Sequence, residues 1–358
     1  MSQPHLTIVA NASPTSRQRS RILFVHNGRE RFVLDDLSIL RGAYSVSDWY
    51  QPTRHYNPWR LLNLVQSHDL VFSWFASWHS LAPTLLARRL GKPTITVVGG
   101  YDTACVPEAN YGSQRGGMRR IISRLVILAS DQLIAFSNTA RHEAINNAGV
   151  QPQKILSIHL GVTPLPFGSS PREPIALTVG GVWHENLLRK GMLPFVQAAA
   201  YMPEVRFVLV GRWYDDSIEV LREAAGPNVE FCGFVSDEEL TALYARAAVY
   251  VQASLHEGFG LSVAEAMSAG CIPVVTRCGS LPEVVGAHGL FVKSTDPAEL
   301  ASGIRQALAR DDRQRFAIRS HVLETFAPER RIERMLELVH TCLTKKYTTN
   351  NHQSLEIH

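Results

Sequence analysis

The sequence predicts an α/β protein of two tandem doubly wound, Rossmann-like domains facing an interdomain cleft. Three observations carry that prediction. Short apolar runs of strand length alternate with amphipathic segments of helix length, the pattern of parallel sheets covered by helices on both faces. The alternation breaks once, in "GVTPLPFGSSPREP" (161–174), where four prolines and three serine or threonine residues read as a linker, and then restarts. The chain has 358 residues, enough for two separate cores. Sheets of this kind bind ligands beyond the carboxyl ends of their strands, so the cleft is the expected site.

Taken in order, residues 1–20 read as a flexible tail, because they contain Ser, Asn and Arg but no continuous apolar run of a signal peptide. The first domain is expected over 21–165. Its strands are "RILFVH" (21–26), "DLVFSW" (69–74), "PTITVV" (93–98), "QLIAF" (132–136) and "KILSIH" (154–159). Its helices are "FVLDDLSILRG" (32–42), "SLAPTLLARRLG" (80–91), "RRIISRLVILA" (119–129) and "NTARHEAINNAG" (138–149), the last with Asn138 as N-cap. The second domain is expected over 170–326, with strands at 175–180, 205–211, 229–234, 248–253, 272–276 and 289–292 and helices between them. A final amphipathic helix follows at 327–343, and 346–358 read as a second flexible tail.

Composition narrows the function. Hydrophobic residues make up 45% and charged residues 19%, an ordinary globular balance, and the formal charge of +4 is too weak a bias to argue for nucleic acid. It fits an anionic substrate or a membrane surface. No apolar run approaches the ~20 residues that cross a bilayer. Five scattered cysteines show no C-x-x-C and no zinc spacing, so reduced thiols in a cytoplasmic protein are expected, with no metal site.

The informative stretch is "HEGFGLSVAEAMSAGCIPVV" (256–275). The strand at 248–253 places Glu257 on a loop at the carboxyl edge of the sheet. Gly258 and Gly260 let the backbone turn tightly and approach a ligand. The helix that starts at Leu261 leaves its first N–H groups without helical partners, which makes an anion site. Glu265 lies one turn into that helix among Val263, Ala264, Ala266 and Met267, where a carboxylate needs donors. Ribose hydroxyls would supply them, a phosphate would sit on the helix start, and Glu257 would grip sugar hydroxyls. Either glutamate alone reads as well as a core ion-pair partner or a surface loop residue. The coincidence of glycine turn, sheet edge and helix start favours a ligand.

This stretch, followed by "GSLPEVV", resembles the E-x(7)-E signature of the family-four retaining glycosyltransferases, and the resemblance covers most of 21–345. It implies the GT-B fold, with the final helix (327–345) crossing back to the first domain. It implies that Glu257 contacts the donor sugar, Glu265 the nucleotide ribose, and Phe259, Gly260 and Leu261 the donor through their backbone. In "GGVWHENLLRKGMLPFVQAA" the family's diphosphate clamp is represented by Lys190 before Gly191, while Gly181 stands where an Arg is usual; Arg189 is the candidate replacement. A fixed cation there would stabilise charge developing on the leaving diphosphate. Arg212, after a strand end, is a candidate for phosphate or base, and Phe234 and Val235 lie where the family cups the base.

On the acceptor side, Gly28 is what remains of a usual Gly-rich loop. Gly99, Gly100, Tyr101 and Asp102 occupy the region where a His is common, and His79 follows the strand at 69–74. Asp102, Tyr101 and His79 are the acceptor-side candidates. The run 115–129 is basic, then apolar. It reads as a helix packing its own core with a solvated basic end, or as one lying on anionic lipid.

The expected activity is transfer of a sugar, with retention, from a nucleoside-diphosphate sugar to an acceptor hydroxyl in glycan or glycolipid synthesis. The nucleotide sugar is a co-substrate, with no further cofactor and no metal. The acceptor is a glycan, a lipid-linked or a small molecule; the location is cytoplasmic, with peripheral contact to the inner membrane face open. The rivals are a nucleotide-sugar epimerase of the same fold, a degenerate non-catalytic partner of another enzyme, and a glycoside hydrolase using Glu257 and Glu265 as its carboxylate pair.

Overall fold

The computed structural model describes residues 19–168, 171–293 and 295–355. The expected tail 1–20 lies, up to residue 18, outside the described residues. The first half runs β1 (Arg21–His26), α1 (Arg31–Ala43), β2 (Ser45–Tyr50), α2 (Pro58–Ser67), β3 (Leu70–Trp74), α3 (Trp78–Arg89), β4 (Thr94–Val98), α4 (Gly117–Ala129), β5 (Gln132–Ala135), α5 (Asn138–Ala148) and β6 (Ile155–Ser157). The second runs β7 (Glu173–Val179), α6 (His184–Arg189), α7 (Met192–Ala198), β8 (Arg206–Val210), α8 (Ser217–Ala224), β9 (Val229–Gly233), α9 (Asp237–Arg246), β10 (Ala247–Gln252), α10 (Leu261–Ser268), β11 (Ile272–Thr276), α11 (Leu281–Val285) and β12 (Leu290–Val292). Three helices close the chain: α12 (Pro297–Leu308), α13 (Asp312–Thr325) and α14 (Pro328–Leu355).

The strands form two six-stranded parallel sheets, ordered β2-β1-β3-β4-β5-β6 and β12-β11-β10-β7-β8-β9. Both are doubly wound. In the second sheet the chain steps outward from β7 to β9 and returns to β10 on the other side of β7, so the switch point lies between β7 and β10. Doubly wound sheets place their ligand crevice at such a switch point, bounded by the loops that leave the carboxyl ends of the two strands.

Two compact units result. One holds the described residues up to Val97, Ile121–Ile134 and those from Ile332; the other holds Val98–Arg120 and Ala135–Arg331. The first is centred on Leu23, Val25, Trp49, Leu61, Val65, Val71 and Ala87. Its α14 buries Met335, Leu338, Val339, Cys342 and Leu343, a 3-and-4 spacing that lays one apolar face inward. In the second, β10 and β11 are buried along their whole length, the signature of central parallel strands.

Three expectations need correction. β2 and α2 have no counterpart in the sequence reading, because β2 ("SVSDWY") is an edge strand that fully buries only Trp49 and shows no apolar run. The N-cap of α5 is Ser137, whose hydroxyl accepts from Ala140 N at 3.0 Å, while Asn138 is the first helical residue. The final helix continues past 343 to Leu355, through most of the segment 346–358 read as a tail.

Candidate active site

The crevice at the β7/β10 switch point is built by glycines. Gly191 has φ +67°, and a Cβ there would lie 2.1 Å from Ala253 O, so only glycine lets the α6–α7 turn rest on the end of β10. That contact sets Lys190 beside the β10 loop. Its ammonium Nζ donates to Glu257 Oε2 at 3.3 Å. Its stem lies over Gly180, where a Cβ would approach Lys190 Cδ to 3.1 Å.

Glu257 is held from behind. Ser280 N and Ser280 Oγ both donate to its carbonyl at 3.0 Å. Burial opposes ionisation of its carboxyl, but the charges of Lys190, Arg189 and His256, with the Lys190 hydrogen bond, hold it below its ordinary value. The carboxylate is therefore charged at neutral pH, with part of its surface open: the side chains of Lys190 and Glu257 retain 17% and 14% exposure.

Gly260, at φ +90°, turns the chain into α10. The first helical hydrogen bond is Ala264 N to Gly260 O at 3.0 Å, which leaves the N–H groups of Leu261, Ser262 and Val263 without helical partners. Below them Tyr250 Oη donates to Ser262 Oγ at 2.8 Å, and Gln252 Nε2 to Ser254 Oγ at 2.7 Å, so buried polar groups support the loop. Glu265 is half-buried one turn on, and Tyr244 Oη donates to its Oε2 at 3.3 Å. The arrangement offers an anion a fixed cation and a helix start, flanked by two carboxylates that accept from hydroxyl groups.

Arg189, the candidate replacement for the clamp Arg, is buried and tied to its neighbours. Its Nε and Nη2 donate to Asn186 Oδ1 at 3.0 and 2.5 Å, its Nη1 to His256 O at 3.4 Å, and its guanidinium lies 4.5 Å over the Tyr111 ring. Gly181 is walled by aromatics: a Cβ there would stand 2.7 Å from the Trp183 ring and 2.8 Å from that of Tyr214. Rings, not a second cation, fill that side. Arg212 is exposed and stacks 4.9 Å over Phe234, itself 72% exposed, with half-buried Val235 next to it. Phe259 is buried against Phe326 and His159, so its backbone alone is positioned for a ligand. Gly258 passes so close to Gly100 that a Cβ would lie 3.1 Å from Gly100 Cα.

Two comparisons fix the family. The profile described as Glycosyl transferases group 1 matches residues 173–310, and that described as Glycosyltransferase Family 4 matches residues 5–164. The chain belongs to glycosyltransferase family four. Among its relatives is the O-antigen chain mannosyltransferase B of Escherichia coli, 30% identical over 203 residues, 52% of this chain and 53% of that protein. Another is a component of the phosphatidylinositol N-acetylglucosaminyltransferase of Arabidopsis thaliana, 26% identical over 250 residues, 67% of this chain and 53% of that protein. The chain thus spans about half the length of these curated relatives. The GT-B fold is shared with Anabaena HepE crystallised with UDP, at TM-score 0.72, 16% identity and coverage of 90% of this chain and 100% of that one. Sucrose-phosphate synthase from Thermosynechococcus elongatus gives TM-score 0.70 at 18% identity, covering 91% of this chain and 100% of that one.

The residues expected on the acceptor side are mostly engaged in holding the fold. Asp102 is 3% exposed, and its Oδ1 accepts Gly99 N–H at 2.7 Å, closing the turn after β4. Tyr101 is exposed, and Arg119 Nη1 donates to its hydroxyl at 2.6 Å. In the first unit, His79 is 2% exposed and its Nε2 donates to Trp74 O at 2.8 Å; burial pushes its pKa down to about 4, so the ring is neutral. Gly28 lies against the Glu30 carboxylate, and His26 Nδ1 is 2.5 Å from its carbonyl.

Sequence reasoning missed a buried polar group behind the crevice. His256 Nε2 pairs with Glu143 Oε1 at 2.6 Å, its ring lies 5.4 Å from Tyr111, and its Nδ1 is buried without a partner. It also missed Glu283, which accepts from Asn138 N, Asn138 Nδ2 and His159 Nε2. Burial acts against its charge, yet these donors keep it below its ordinary value. Neither cluster had a signal in spacing, because their members come from distant segments. The aromatic pair in "GRWYDD" after β8 was a readable sign. Among the described residues, no group of three or more His, Cys, Asp or Glu could hold a metal ion.

Proposed function

We propose that this chain transfers a sugar, with retention, from a nucleoside-diphosphate sugar to an acceptor hydroxyl in the synthesis of a surface glycan or glycolipid. The observation that carries the reading is the Lys190–Glu257 pair at the switch point, beside the unpartnered first turn of α10. Lys190 and that helix start hold the diphosphate without a metal, Glu265 binds ribose hydroxyls, and Glu257 binds the sugar. As the bond from the anomeric carbon to the diphosphate oxygen breaks, the acceptor oxygen bonds to that carbon from the same face, and the acceptor proton passes to the departing oxygen. No step needs a base on the opposite face. The mannosyltransferase names among the relatives make a mannosyl donor the first to try. The acceptor is lipid-linked and is met at a membrane surface, in keeping with the glycolipid chemistry in the relatives' names.

The test is a thermal-shift panel of GDP, UDP, ADP and dTDP, followed by turnover with the matching sugar in the presence of a chelator. A nucleotide at a hundredfold excess over Kd raises stability by about 2.7 kcal/mol. An α-linked donor is expected to yield an α-linked product by NMR. A β-linked product, or activity lost on chelation, overturns the mechanism.

A further inference from the structure

We propose that α4 is a docking surface for anionic lipid. The proposal deepens the membrane part of the preceding reading by naming the surface, and it does not depend on the sugar chemistry. Core packing and a lipid-facing role are combined in this one helix. Ser123, Val126, Ile127 and Ala129 are buried. Met118, Ile121, Leu125 and Leu128 are 67%, 55%, 47% and 46% exposed. Their spacing of three, four and three residues lines them along one side of the helix. A single exposed leucine is ordinary; four large apolar side chains on successive turns of one face mark an interaction surface.

Charge identifies the occupant. Between Glu108 and Asp131 there is no acidic residue, but there are four arginines, at 115, 119, 120 and 124. Arg120 and Arg124 immediately precede Ile121 and Leu125, so they run beside the stripe. Arg88 Nη1 donates to Ala129 O at 3.3 Å, which ties the carboxyl end of α3, where Leu85, Arg89 and the capping residue Leu90 are exposed, to the end of α4. A protein partner is ordinarily met by both signs of charge; an apolar stripe on a helix whose own charges are all cations suits acyl chains under anionic headgroups. With 13 residues α4 is about 20 Å long, too short to span a core of ~30 Å, so it would lie in the interface plane.

The experiment is flotation of the full chain with vesicles of phosphatidylcholine carrying phosphatidylglycerol, and of phosphatidylcholine alone, at low and high salt. Binding is expected to the anionic vesicles at low salt, falling by about tenfold or more at high salt or without phosphatidylglycerol. Leu125→Ser with Leu128→Ser, and separately Arg120→Glu with Arg124→Glu, should each lower binding about tenfold and leave the thermal midpoint and nucleotide binding near wild type. Wild-type protein that stays off anionic vesicles at low salt overturns the proposal, as does binding that neither pair alters. A dimer dispersed by the leucine pair, with no vesicle binding, would assign the stripe to a second copy and overturn it too. Failure of the sugar-transfer reading would appear separately, as a protein that still floats but binds none of the four nucleotides and turns over no nucleotide sugar.

Discussion

Lys190 and Glu257 form one pair of polar candidates and Asp102 and His79 another, and the fold treats the two pairs in opposite ways. Asp102 and His79 hold their own backbone: one closes the turn at Gly99, the other donates to Trp74 O. Lys190 and Glu257 have their backbone held for them, by the glycine turn at Gly191 and by Ser280. Their charged ends meet each other through one 3.3 Å contact and keep bonding capacity in hand. A polar side chain is available to a ligand when the structure does not need it to satisfy a neighbour.

The largest expected effect tests that distinction at the cation. Lys190→Ala should lower turnover by on the order of 10²–10³, since it removes the charge that stabilises the leaving diphosphate. Arg189→Ala should instead lower the thermal midpoint, because it strips partners from buried Asn186 and from the Tyr111 face. If Arg189→Ala keeps its midpoint and loses turnover as Lys190→Ala does, the guanidinium is a ligand and the comparison breaks.

The two carboxylates should separate next. Glu265→Gln should weaken nucleotide binding by about tenfold in calorimetry, the range of a charged hydrogen bond. Glu257→Gln should leave that affinity nearly unchanged and reduce turnover. The same change in both measured quantities for both variants would remove the assignment of ribose to one and sugar to the other.

His79 sharpens the comparison through pH. Its folded pKa of about 4 lies below the ordinary 6.5, so the unfolded chain binds the proton first. Stability is fully present above pH 6.5 and is lost as pH falls toward 4, by about 3 kcal/mol from the size of the shift. His79→Gln keeps a donor for Trp74 O and cannot titrate. The fall in thermal midpoint between pH 7 and 4.5 should be smaller in this variant; an unchanged slope would show that the buried ring does not drive acid sensitivity. Glu257 acts in the same direction at lower pH, its stabilisation being lost as pH falls through its depressed value.

What the sequence made legible follows from the same physics. Period and strand length gave the two sheets, because buried parallel strands such as β10 and β11 are written as apolar runs. β2 was hidden because an edge strand with one fully buried residue carries no such pattern. Glu257, Gly258, Gly260 and Glu265 were readable because one strand–loop–helix unit holds them all. The His256–Glu143 pair was not, since 113 residues separate its members. Asp102 and His79 were visible as polar loop residues, but their hydrogen bonds to their own turns depend on backbone geometry that residue type does not encode.

The smallest effect separates two neighbours, of which the sequence pointed to Asn138 as the cap and the structure to Ser137. Ser137 Oγ accepts from Ala140 N at 3.0 Å, capping α5, and donates to Gly258 O at 2.7 Å, fixing the loop beside Glu257. Asn138 uses its side chain differently, donating from Nδ2 to Glu283 at 2.8 Å on the exposed side. Ser137→Ala removes a cap and takes the donor from the carbonyl of half-buried Gly258, so it should cost about 1–2 kcal/mol and lower turnover a few-fold through the Gly258 loop. Asn138→Ala should cost less than half as much, because Asn138 N and His159 still serve Glu283. Ser137→Thr keeps both bonds and should recover most of the loss. If Asn138→Ala proves the costlier variant in thermal melts, the cap is where the sequence placed it, and the hold of α5 on the Gly258 loop is weaker than the geometry indicates.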